Sequence, residues 1–192
     1  QGPGVEMGFA KRNAFRGGEL LSLNLGASYE FEPDHLFEKD NANYEISGDL
    51  SLTIPKLFLP NFLKPKRRLW QTTPSTVITL SRETINRSNY FRRHILSSEL
   101  TYIFQPTKQS VHKISPLIVE YDRLAHMTDK YLDKVLESPI LTASAKDYFI
   151  TKMRYNYRFT SPMSYLNPIY FSATLTEASN LLALGYLAAG KS

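Results

Sequence analysis

The chain has 192 residues, with 23 Lys and Arg against 18 Asp and Glu and a net charge of +5. That excess is too small and scattered to suggest a nucleic-acid partner, and the absence of cysteine excludes disulfides, thiolate zinc sites and cysteine nucleophiles. With 42% hydrophobic residues and no apolar run near the ~18 residues of a spanning helix, the chain is not a helical membrane bundle.

The remaining unusual quantity is the aromatic content, 12 Tyr, 11 Phe and 1 Trp, residues that favour strands and membrane interfaces. Period-two alternation predicts strands at 4–13, 19–32, 43–55, 75–87, 93–105, 112–124, 146–159 and 168–178. In the second, Leu21, Leu23, Leu25, Ala27, Tyr29 and Phe31 alternate with Ser22, Asn24, Gly26, Ser28 and Glu30. Ile46, Gly48, Leu50, Leu52 and Ile54 alternate in the third with Glu45, Ser47, Asp49, Ser51 and Thr53. Phe149, Met153, Tyr155, Tyr157 and Phe159 oppose Ile150, Lys152, Arg154, Asn156 and Arg158 in the seventh. A helix would scatter each set around its circumference, whereas a strand puts each on its own face.

Turn residues separate these segments at Arg16-Gly17-Gly18, Pro33-Asp34, Gln105-Pro106 and Ser161-Pro162. Two connections are long, 56–74 and 125–145, and the second has helical spacing around Leu132 and Leu136. Gln1 follows no initiator Met or signal segment, and Leu181 to Ser192 end without a closing feature, so the expectation is a piece of a longer protein.

Several predicted strands run 13 or 14 residues, longer than the five or six typical of soluble sheets and enough to cross a bilayer, which takes about 9–11 tilted residues. Two architectures fit. A soluble sandwich buries its apolar faces between two sheets; a transmembrane barrel turns them to lipid and its polar faces, here bearing Glu30, Glu45, Asp49, Lys152, Arg154 and Arg158, to a lumen. Strand length and the aromatic strand ends Tyr102, Phe104, Tyr170 and Phe171 favour the barrel.

The segment Gly8-Phe9-Ala10-Lys11-Arg12-Asn13-Ala14-Phe15-Arg16-Gly17-Gly18-Glu19-Leu20-Leu21 resembles the opening barrel strands of the BamA/TamA family of outer-membrane assembly proteins, the bacterial surface antigens. Arg12, Asn13, Phe15, Gly17, Gly18 and Glu19 match its turn, and the following strand ends Ser28-Tyr29-Glu30-Phe31 as in the family. Leu52 to Pro60 is similar to a strand-ending stretch of the family, and Thr73 to Thr76 and Glu177 to Leu182 resemble Bacteroidota-type members. The resemblance implies about eight strands, the N-terminal half, of an antiparallel transmembrane barrel of about sixteen. Its periplasmic POTRA domains, Arg-Gly-Phe lumen loop and seam-forming first and last strands would lie outside this chain.

By the same resemblance the parent assists folding and insertion of other outer-membrane proteins, or polypeptide translocation, in the outer membrane of a diderm bacterium. Its partners would be outer-membrane lipids or lipopolysaccharide, unfolded outer-membrane clients, and periplasmic or lipoprotein accessory subunits. Read physically, the turn is a hairpin reversal in which Gly17 and Gly18 supply positive φ, Phe15 anchors the membrane boundary, and Arg12 and Glu19 can pair.

No catalytic pattern emerges. His35, His94, His112 and His126 show no metal-ligand spacing, and no serine lies in a nucleophile motif, so no enzyme activity and no cofactor are expected. The run with Lys64, Lys66, Arg67, Arg68 and Trp70 is a candidate for headgroup contact, or else a solvated loop. Family strand parity puts it on the periplasmic side and 125–145 outside. The rival readings are a passive outer-membrane pore and a soluble β-sandwich binding module.

Overall fold

The computed structural model describes residues 2–30, 43–59, 72–87, 90–128, 147–162 and 167–178. Eight antiparallel strands form one sheet in sequence order: β1 (Gly4–Arg12), β2 (Leu20–Glu30), β3 (Asn43–Ile54), β4 (Ser75–Arg87), β5 (Phe91–Phe104), β6 (Ser110–Met127), β7 (Tyr148–Thr160) and β8 (Tyr170–Ala178). There is no helix among the described residues, and the sheet is not closed: β1 pairs only with β2, and β8 only with β7. The helical spacing expected beyond residue 125 meets strand β6 as far as Met127, and the rest of that expectation lies outside the described residues.

The alternation read from the sequence becomes two chemically distinct faces, because antiparallel pairing aligns like with like. Met7 lies opposite Leu25, Leu23 opposite Leu50, and Leu50 opposite Leu80. Asn24 lies opposite Asp49, and Asp49 opposite Ser81. A one-residue slip in any pair would mix the two sets.

The pairing is regular except along β6, the longest strand at 18 residues. Its register with β5 shifts between Leu100 and Tyr102, and with β7 between Ser115 and Ile118. Pro116 lies inside the second shift. Proline has no N–H to give to a ladder, so a strand interior accommodates it at a bulge.

The sheet has almost no hydrophobic core. Among the described residues the buried apolar side chains are Tyr102, 9% exposed, and Ile118, 4% exposed. The accessible surface is 14446 Å², against about 9,300 Å² for a compact chain of this mass. All eight strands lie in one sheet, so no second sheet among the described residues covers the apolar face, as a sandwich requires.

Candidate functional site

The first hairpin carries the residues singled out in the sequence. Its reversal spans 13–19, and the left-handed backbone falls on Asn13 (φ 56°), Arg16 (φ 67°) and Gly18 (φ 85°). The expectation that Gly17 also supplies positive φ is corrected: Asn13, whose short side chain tolerates this region, takes that role. The Asn13 Oδ1 accepts the Gly18 N–H at 3.0 Å, and its carbonyl accepts the Arg16 N–H. The Glu19 carboxylate accepts the Gly17 N–H at 2.9 Å.

Glu19 thus serves the turn backbone, and the pairing with Arg12 is not formed among the described residues. Bonds from the N–H groups of Glu19 itself and Gly17 hold the Glu19 carboxyl below its ordinary range. Phe15 is exposed at the tip. Asn13, Gly17, Gly18 and Glu19 are therefore brought together; Arg12 and Phe15 stand apart. Lys64, Lys66, Arg67, Arg68 and Trp70 lie outside the described residues.

The start of that long connection is fastened to the sheet. The fully buried Thr76 hydroxyl accepts the Phe58 N–H at 3.1 Å and donates to the Lys56 carbonyl at 2.7 Å. Tyr102 donates its hydroxyl to the Phe58 carbonyl at 2.9 Å. Residues 56–58 are so clipped over the apolar face at the end of the sheet where the 13–19 turn lies.

On the polar face the cations and carboxylates named in the sequence meet partners that only the register reveals. Lys152 Nζ lies 2.7 Å from Glu120, Arg93 lies 3.1 Å from Asp122, and Arg87 lies 3.0 Å from Glu30. Glu99 is the centre of a larger group: one oxygen accepts the hydroxyls of Ser115 (2.7 Å) and Thr101 (2.9 Å), while the other lies 3.7 Å from Arg154. Glu99, Glu120 and Asp122 are sequence-distant from their cations, which is why alternation alone could not pair them.

Charge on this face is unevenly shared. Strands β1–β4 contribute Glu6, Glu30, Glu45, Asp49 and Glu83 against Arg12 and Arg87. Strands β5–β8 contribute Arg93, Lys113, Lys152, Arg154 and Arg158 against Glu99, Glu120 and Asp122. Lys113, Arg154 and Arg158 line one hollow of 590 Å³ beside Glu99 and Asn156. Among the described residues no group of His, Asp and Glu is placed to hold a metal ion.

The apolar face has borders. Tyr29 faces Tyr44 at one end, and Tyr121 faces Phe149. At the other end lie Phe9, Tyr102, and the stack of Phe104 on His112, whose ring also meets Tyr157 at 5.0 Å. Traced through the register, the row of Phe149 on β7 meets β3 at Gly48, four residues below Tyr44. The row of Tyr102 on β5 meets β3 at Ile54, four residues below Leu50, the partner row of Phe9 on β1.

Both borders therefore fall four residues over four strands. With strands about 4.8 Å apart and about 3.3 Å per residue, that is a slant of about 35°. The borders stand about eight residues apart along a strand, or about 22 Å measured across the slant. Comparison with protein-family models, with curated proteins and with solved structures finds no match to this chain.

Proposed function

We propose that this sheet is an arc of a larger transmembrane β-barrel in a bacterial outer membrane, whose parent protein folds and inserts other outer-membrane proteins. The carrying observation is the exposed apolar face: it extends across eight strands, is bordered by aromatic residues at both ends, and among the described residues is covered only at one end, by residues 56–58. Lipid covers such a face in a barrel. The slant of the borders matches the tilt of about 35–45° that barrel strands adopt, and their separation is close to the apolar band of about 25 Å.

The insertion role rests on the resemblance of the first hairpin, and its mechanism would be the templating of an incoming strand by β-augmentation at the seam of the parent barrel. Lipids, unfolded outer-membrane clients and accessory subunits are the partners of this reading, and the reaction needs no cofactor.

Depletion of the parent protein tests it: other outer-membrane barrels should fall in abundance, and unchanged levels would sink the assembly role. The charged, half-solvated polar face favours a second reading, a passive pore. Ion conductance by the purified protein, with client levels unaffected by depletion, would select that one.

A further inference from the structure

The outward face is not wholly apolar, since Lys11 and Glu177 also lie on it, but most of its basic side chains gather at one place. Arg82 on β4, Arg92 and His94 on β5, and Arg123 and His126 on β6 all share the face of Leu80, Leu96 and Tyr121. The register draws them together: His94 lies opposite Arg123, Arg92 opposite His126, and Arg82 opposite Leu96, the next outward residue after His94. Four of the five are exposed, and His94 is half-buried with its Nδ1 3.0 Å from the Thr84 hydroxyl. Sequence alternation could not find this group, since its members come from three strands and none forms a run.

Among the described residues no carboxylate forms an ion pair with it: Glu83 and Asp122 lie on the opposite face, and Asp147, which the β6–β7 register brings beside Arg123, accepts the Leu124 N–H at 2.9 Å. Arg92 is steadied by the Asn86 side chain at 3.0 Å, while Arg82 and Arg123 make no hydrogen bond or ion pair among the described residues. Three guanidiniums on one exposed patch repel one another unless an anion joins them.

Position supplies the identity of that anion. Carried from Tyr44 at one residue per strand, the aromatic border crosses β5 at His94. Arg92, Arg123 and His126 stand just beyond it, and Arg82 stands inside it with a stem long enough to reach outward. Headgroups of a bilayer lie at this depth. We propose that these five residues form a binding site for the phosphates of lipid headgroups, with the Arg82 and Arg123 guanidiniums as its chief donors. The site rests on the membrane reading above and lies at the end of the sheet away from Ile54 and Ser75, between which the 64–70 run falls in sequence.

The test is native mass spectrometry of the full-length protein released from dodecylmaltoside micelles doped with phosphatidylglycerol or with a phosphate-free galactolipid. Phosphatidylglycerol should be retained in preference, and Arg82→Gln/Arg123→Gln should weaken its retention about thirtyfold, at about 1 kcal/mol per cation. The single variant Arg123→Gln should weaken it about fivefold, and Arg82→Lys/Arg123→Lys should keep most of it. Equal retention of the two lipids, or no change in the Gln variants, overturns the site and leaves the membrane reading standing. A protein that stays dispersed without detergent overturns both.

Discussion

Thr76 and Gly18 show how much of this structure hangs on single side chains. Thr76 is fully buried and holds residues 56–58 through two hydrogen bonds. Thr76→Val should cost about 1–3 kcal/mol, the penalty for stranding buried backbone groups, and urea unfolding in micelles would measure it. Gly18 has a left-handed backbone that a Cβ penalises, so Gly18→Val should cost about 1–2 kcal/mol. Gly17→Ala should cost less, because the atom it meets is the movable end of the Glu19 side chain.

The Glu19 carboxyl is lowered by the turn's own N–H groups, so its contribution is fully present above the ordinary Glu value of about 4.3. It is lost as the pH falls through the lower, folded value. The Gly17 amide proton should titrate in that acidic window by NMR, and Glu19→Gln should remove the step. The turn's chemistry was only half legible in the sequence. Glycines advertise positive φ, whereas Asn13 and Arg16 acquire it from the hydrogen bonds that close this particular reversal.

At the scale of elements, all eight strands were legible, β2, β3 and β7 from clean alternation and the others from weaker versions of it. The ends and the pairings were not. β5 begins at Phe91 and β6 reaches Met127, extensions that exist because each strand hydrogen-bonds the other. Nothing local to Pro116 tells whether it ends a strand or sits in a bulge; the two neighbouring strands decide that. The same holds for the polar face, where Glu99 and Arg154 are on strands separated by β6.

Within the Glu99 group the magnitudes differ. Glu99→Ala removes the acceptor of two part-buried hydroxyls and should cost about 1.5–3 kcal/mol. Arg154→Ala loses only a 3.7 Å, largely hydrated pair and should cost about 0–1 kcal/mol. Chemical unfolding of the two variants in the same micelles would read the order, and a larger loss for Arg154→Ala would contradict this assignment of roles.

For the whole molecule, the proposed membrane reading turns on whether the apolar face meets lipid. Leu80 is outward near the middle of the bordered band, and its neighbour Ser81 faces Asp49 on the polar side. Leu80→Arg should cost about 2–4 kcal/mol when the protein folds into vesicles, whereas Ser81→Arg should be nearly neutral. The sequence carries no cysteine, so spin labels attach only where a cysteine is introduced. The most direct measurement is an accessibility scan of single labels from Asn43 to Ile54 in lipid vesicles, with oxygen as the lipid-soluble relaxant and a nickel chelate as the water-soluble one. Even-numbered positions should respond to oxygen and odd-numbered ones to nickel, in strict alternation. Nickel access at every position would contradict a membrane-spanning sheet.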